Sequence, residues 1–185
     1  IEQHCTLTNG EWIGQPFRLQ PWQRRLIYEL FEVNDDGQRR YRWALVGVPK
    51  KNGKTELAAA LALYFLLGDD EPAPLVVCAA ASDEQADLVY GAAKTMVTMS
   101  PTLSQSCTPF DKEILVPSKP GAKLQRVAAV AGTNDGKNIH AVIADELHEW
   151  QGDKGEKVWN VLTNGTGARR QPMVLQITTA GYDLE

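Results

Sequence analysis

"GVPKKNGKT", residues 47–55, decides how the rest of the chain is read. It closes on Gly53, Lys54 and Thr55, the triplet that ends a phosphate-binding loop. The usual spacing puts another glycine five residues before Gly53. Val48 holds that place, and Gly47 comes one residue too early. A Gly-Lys-Ser/Thr triplet turns up by chance in roughly one chain in ten of this length, so its surroundings must decide.

The loop lies between a strand reading, "YRWALVGV" (41–48), and a helix reading, "KTELAAALALYFLLG" (54–68), closed by Gly68. Strand, loop and helix in that order are what a phosphate loop requires. Backbone N–H groups at a helix start point at phosphate oxygens, and the helix dipole adds to the attraction. In that role Gly53 lets the backbone approach closely, Lys54 reaches the β- and γ-phosphates, and the Thr55 hydroxyl binds Mg²⁺. Pro49, Lys50, Lys51 and Asn52 complete the loop. The bland alternative is a surface triplet at a helix start.

Working outward, "PWQRRLIYELFEV" (21–33) reads as a helix, with Pro21 in its first turn and Leu26, Ile27, Leu30 and Phe31 on one face. "PLVVCAAA" (74–81) is a buried strand. "SDEQADLVYGAAKTMVTM" (82–99) is a helix, with Ser82 and Gln85 spaced as a capping box. Residues 100–126 read as loop with short strands around 113–117. Strands are expected at 126–132, 140–146 and 172–181, and a helix at 157–165. Strands alternate with helices and several are continuously apolar. The fold class is therefore α/β, a mainly parallel sheet flanked by helices. Sites in such sheets form beyond the carboxyl ends of the strands, where the notable sequences fall.

Three more segments carry chemistry. "AVIADE" (141–146) is an apolar strand ending in Asp145 and Glu146. Asp145 would hold Mg²⁺ through water. Glu146 would act as general base on a water attacking the γ-phosphate. "TTAG" (178–181) puts the hydroxyls of Thr178 and Thr179 at a strand end, followed by Gly181. Gln23 in "LQPWQRRL" lies upstream, and a glutamine amide pairs bidentately with adenine N6 and N7. Phe17, Arg18 and Trp22 are candidates to pack on the ring. Each segment alone has an ordinary explanation: a solvated acid pair, a strand-to-turn transition, an exposed helix glutamine. The ordered set does not.

The 185 residues suffice for one domain, with 43% hydrophobic and 23% charged content, as in soluble globular proteins. A net charge of -4 gives no bulk attraction to nucleic acid or an anionic membrane, so any DNA contact needs a local basic patch. Cys5, Cys78 and Cys107 lack metal-ligand spacing and do not suggest a disulfide framework. The longest apolar run, 57–67, is too short to cross a bilayer. A reducing, cytoplasmic setting is expected.

Taken together, "LQPWQRRLIYELF", "VPKKNGKT", "AVIADELHEW" and "ITTAG" resemble the ATPase domain of the large terminase subunit, the DNA-packaging motor of tailed bacteriophages. They are similar to its adenine-recognition motif, its variant Walker A without the first glycine, its Walker B with catalytic glutamate, and its coupling motif. The likeness runs from residue 17 to 183, and "GTNDGKNIHAVIADE" adds a Gly-Asn segment of the kind found before Walker B. The resemblance implies a P-loop NTPase of the RecA-like, ASCE type. Residues 1–40 would form the adenine-recognition segment and 41–185 the nucleotide-binding core of one ATPase domain.

It further implies ATP and Mg²⁺ as ligands, non-specific phosphate contacts to double-stranded DNA, and self-association into a ring. A portal protein and a small terminase subunit are the implied partners. The setting would be the host cytoplasm, outside the mature virion, with no membrane. In the family an arginine commonly sits where Lys50 stands here, poised to stabilise charge on the γ-phosphate; lysine lacks the bidentate fork. Related motors also receive an arginine from a neighbouring subunit, just before Walker B. The candidates here are Lys137, Arg126, Arg169 and Arg170. Large terminases carry a C-terminal nuclease of ribonuclease H type. Nothing after Gly181 supplies one, so no DNA cleavage is expected of this chain. Two other readings stay open: a DExH-type helicase fragment, which "DELH" (145–148) fits literally, and a nucleotide-binding module without turnover.

Overall fold

A computed structural model describes residues 1–129 and 136–179. Among the described residues seven strands form one sheet: β1 (Trp43–Val48), β2 (Leu75–Ala80), β3 (Thr108–Pro109), β4 (Glu113–Leu115), β5 (Lys123–Ala128), β6 (Ala141–Asp145) and β7 (Met173–Thr179). Their order is β1-β7-β6-β2-β5-β4-β3. The first five in that order run parallel, and β4 and β3 add an antiparallel edge. The helices are α1 (Pro21–Leu30), α2 (Lys54–Leu67), α3 (Asp83–Met99), α4 (Pro101–Ser106) and α5 (Gly152–Asn164).

Side chains alternate across the pleat, so each central strand feeds two cores. Ala141 and Ile143 of β6 join α1, α2 and α3 on one face. Val142 and Ala144 join Val158 and Leu162 of α5 on the other. That double burial is why these strands read as unbroken apolar runs. α2 is apolar on every side, and nearly all of its residues from Leu57 to Leu66 are buried. The sheet and α3 cover part of its surface. The rest packs under the N-terminal segment, with Cys5, Phe17 and Leu30 in the same cluster. Cys5, Cys78 and Cys107 are all buried and free.

The sequence reading needs four corrections. Residues 101–106, expected as loop, form α4, with the Ser100 hydroxyl accepting from the Leu103 N–H. α5 starts at Gly152 rather than near Lys157. β5 starts at Lys123, three residues before the expected strand, because its outer neighbour β4 pairs with Lys123 and Gln125. Finally, the Ser82 hydroxyl does cap α3 by accepting from the Gln85 N–H at 3.2 Å, but no box forms. The Gln85 side chain reaches Glu149 instead. Residues 130–132 and 180–181 of the expected strands lie outside the described residues.

Candidate active site

β1, β7 and β6 are neighbours, so their carboxyl ends form one continuous rim: Val48 pairs with Thr179, and Ile177 with Asp145. The loop from Pro49 to Gly53 and the start of α2 close over that rim. Gly53 is the N-cap of α2 with φ 72° and ψ 27°, a left-handed conformation that favours glycine. Val48, at the place of the absent glycine, is the last residue of β1 and is buried in the core. The loop therefore begins after it, braced by the Asn52 amide, which donates to the carbonyls of Pro49 and Lys50 at 3.2 Å each. Lys50 and Lys51 are exposed.

Lys54 begins α2 and reaches across the rim. Its Nζ lies 3.1 Å from Asp145 Oδ1 and pairs with Glu146 Oε1. Glu146 follows β6 in a left-handed conformation, φ 48° and ψ 52°, anchored by its N–H donating to Ile177 O at 2.8 Å. That turn aims its carboxylate at the end of β7. There the Thr179 N–H donates to Oε2 at 2.8 Å, the Thr178 hydroxyl donates to Oε2 at 3.0 Å, and the Thr179 hydroxyl donates to Oε1. Counting Lys54, both lone-pair positions on each carboxylate oxygen are occupied.

The electrostatics follow. Burial works to raise the Glu146 pKa, but the bonds from Lys54 and Thr179 outweigh it and hold the group down at about 2. Asp145 moves the other way: burial lifts it above the usual carboxylate range against the pull of Lys54, and the charge on Glu146 lifts it further. The Trp150 indole N–H donates to the Asp145 carbonyl and fixes the strand end.

Gln23 is buried, with its Oε1 accepting from the Gln20 N–H at 2.9 Å. Its Nε2 lies 3.7 Å from where a Cβ on Gly53 would stand, so the amide abuts the loop. Beside it is a cleft of about 270 Å³ lined by Trp22, Leu26, Val46, Gly47, Val48, Pro49 and Asn52. Of the ring-packing candidates, Trp22 lines this cleft and Phe17 is buried in the core. The other sequence candidates lie apart. Arg126 binds Asp87 at 3.0 Å, and Arg169 binds Glu71 at 2.8 Å near the amino ends of the strands. Arg170, just before β7, is exposed. Lys137 lines a separate cavity of about 570 Å³ with Asp153, Glu156 and Lys157 of α5. Gly181 lies outside the described residues. The sequence reading missed His148, whose Nδ1 sits 2.9 Å from the Thr178 hydroxyl. The literal "DELH" was its only signal.

A family model for the terminase large subunit ATPase domain matches residues 21–185. The chain belongs to that family. The family is that of an ATPase domain. The chain is 30% identical over 183 residues to the large terminase subunit of Enterobacteria phage HK97, covering 97% of this chain and 35% of that protein. The crystal structure of the HK97 large terminase superposes with a TM-score of 0.79 at 29% identity, over 96% of this chain and 36% of that one. The chain thus spans about a third of that relative. The large terminase ATPase domain of Thermus phage P74-26 matches at TM-score 0.62 and 15% identity, over 91% of this chain and 68% of that one. The UvsW helicase of bacteriophage T4 matches at TM-score 0.54 and 12% identity, over 96% of this chain and 57% of that one. The last two likenesses concern the fold, a RecA-like P-loop sheet.

Proposed function

We propose that this chain hydrolyses ATP at the shared rim of β1, β6 and β7, and that hydrolysis drives double-stranded DNA into a phage procapsid. The observation that carries the chemistry is the cluster of Lys54, Asp145 and Glu146, with Thr178 and Thr179 closing it. Adenine lies in the cleft beside Trp22 and Gly47, where the Gln23 amide offers Nε2 to N7 and Oε1 to the N6 amine. The phosphates lie on the N–H groups of residues 50–55.

The phosphates compete with Glu146 for Lys54. Once the ammonium moves to them, Glu146 Oε1 regains a free lone pair and loses its nearest positive charge, so its basicity rises. Oε1 then takes a proton from water. The water oxygen bonds to the γ-phosphorus as the bridging β–γ bond breaks, and that electron pair leaves with ADP. Lys54, Lys50 and a cation from a neighbouring subunit stabilise the charge in transfer. Thr178 and Thr179, which hold the base, register loss of the γ-phosphate.

The donor set suits Mg²⁺: one hydroxyl, Thr55, and one buried carboxylate, Asp145. Among the described residues no three His, Cys, Asp or Glu side chains group as a metal cage. Thr55 and Asp145 are the residues that would hold such a cation. When bound it neutralises the β- and γ-phosphate oxygens.

DNA passes through a ring of subunits and is held by its phosphates without base reading. The ring docks on a portal, and the small terminase subunit delivers the DNA. No helix among the described residues is long and apolar enough to cross a membrane; the setting we propose is the host cytoplasm. The test is Glu146→Gln, which keeps size and removes the base. ATP binding stays near the parent value while kcat falls on the order of a thousandfold. Near-normal turnover would sink the assignment.

A further inference from the structure

One of the donors that hold Glu146 is itself held from the turn that follows Glu146. Thr178 Oγ1 lies 3.0 Å from Glu146 Oε2 and 2.9 Å from His148 Nδ1. His148 sits in the 3-10 turn Leu147–Glu149 that follows β6. A threonine hydroxyl carries one proton and two lone pairs. If it gave the proton to Nδ1, two oxygens would face each other at 3.0 Å with no hydrogen between them. If it gives the proton to Glu146, a lone pair remains to accept Nδ1–H. Only the second arrangement satisfies both contacts. Nδ1 also lies 3.5 Å from Glu146 Oε2, a place that suits an N–H and not a lone pair. At the other end of the ring, Nε2 is 3.9 Å from Glu149 Oε1, beyond hydrogen-bond reach.

The relay matters because the hydroxyl has a second acceptor, the Thr179 carbonyl at 3.4 Å. Without the imidazole N–H behind it, the proton is free to swing there and release Oε2. We propose that His148 is a positioning residue for ATP hydrolysis. Its Nδ1–H aims the Thr178 hydroxyl at Glu146 Oε2, which fixes the carboxylate and leaves Oε1 to receive the water's proton. This rests on Glu146 being the base, and it adds a third element, the turn after β6, to the coupling between β6 and β7. The His148 side chain is 58% exposed, so its removal opens no cavity in the core.

The experiment measures kcat, ATP affinity and melting temperature for the full chain as parent, His148→Ala, His148→Asn and His148→Asp, with Glu146→Gln alongside. Asparagine offers an amide N–H at the place of Nδ1–H, and aspartate offers only acceptors. His148→Ala and His148→Asp lower kcat about ten- to hundredfold, the usual cost of a slightly misplaced catalytic group, with ATP affinity within about twofold of the parent. His148→Asn restores most of the rate. The inference is overturned if His148→Ala keeps kcat within twofold while Glu146→Gln abolishes turnover. Equal losses in His148→Ala and His148→Asn overturn it too, as does a loss that tracks melting temperature. Full turnover by Glu146→Gln would instead remove the base, and the relay with it.

Discussion

The two ends of the sheet both gather buried charge, yet only one is built to be opened. At the amino ends, Arg39 pairs with Asp69, donates to the Gln171 carbonyl at 2.8 Å, and lies over the rings of Phe31 and Phe65. Asp69 also holds His140 Nε2. Arg169 bonds Glu71 and the carbonyls of Pro72, Ala73 and Asn138. These residues lead into β1, β2, β6 and β7, so the network ties four strand starts together. Its donors are planar forks spent largely on backbone oxygens, which do not move away. At the carboxyl ends a single ammonium, Lys54, holds two carboxylates beside a helix start and an exposed loop. A phosphate can compete with those carboxylates for the ammonium, whereas Arg39 is buried, Arg169 nearly so, and both are held by backbone carbonyls as well as by Asp69 and Glu71. Here the arginine forks tie strand starts together, and the lysine sits at the loop where we propose that ATP binds.

The sharpest way to break that contrast is Lys50, an exposed cation on the loop. Lys50→Ala lowers kcat on the order of a thousandfold with a smaller effect on nucleotide affinity, as a contact made mainly in the transition state does. Lys50→Arg keeps or raises the rate, because a guanidinium matches phosphate geometry. Lys51→Ala is the control. Equal, mild losses from the two alanine variants would assign the stabilising cation to a neighbouring subunit alone.

Next in size is the opposite end. Asp69→Ala leaves Arg39 and His140 buried without their shared carboxylate, which costs about 3–5 kcal/mol of stability. Hydrolysis per folded molecule stays within about twofold. Urea unfolding measures the first and active-site-normalised turnover the second. A variant that kept its stability but lost turnover would mean that this network also serves the proposed active site.

The smallest effect is in pH. The folded Glu146 carboxyl is held down at about 2 against an ordinary value of 4.5. The folded state therefore binds its proton less readily than the unfolded state. The stability this gives is fully present above about pH 4.5 and is lost as pH falls toward 2. Asp145, shifted upward, opposes part of it. The stability gap between parent and Glu146→Gln narrows between about pH 6 and pH 3 in urea titrations. A gap independent of pH would show that the carboxylate is not held as the geometry implies.

Much of this was legible because the chemistry is local. The loop, its strand and α2 occupy one continuous stretch, and α2 runs from Lys54 to Leu67 where 54–68 was expected. The family resemblance from four short segments agrees with the family model. The start of α5 was not legible. Gly152, Asp153, Lys154 and Gly155 carry no apolar period, and the first turn of the helix is instead set by Gly155, buried against the preceding turn. A Cβ on Gly155 would stand 2.5 Å from the Trp150 carbonyl, so only glycine lets the turn close. β5 began too late in the reading because Lys123 and Gln125 look polar until β4 pairs with them. The amino-end network was invisible, since Arg39, Asp69, His140 and Arg169 are brought together only by the strand order. His148 was hidden for the same reason: its partner, Thr178, is 30 residues away on another strand.

The most direct test is a crystal structure with Mg²⁺ and a non-hydrolysable ATP analogue. The account predicts that Lys54 Nζ leaves Glu146 and lies on the β- and γ-phosphates, with Thr55 and Asp145 around the cation. It predicts adenine against Trp22 and Gly47 with the Gln23 amide at its edge, and Glu146 Oε1 facing the attacking water. A nucleotide bound at this loop with Lys54 still paired to Glu146 would contradict it.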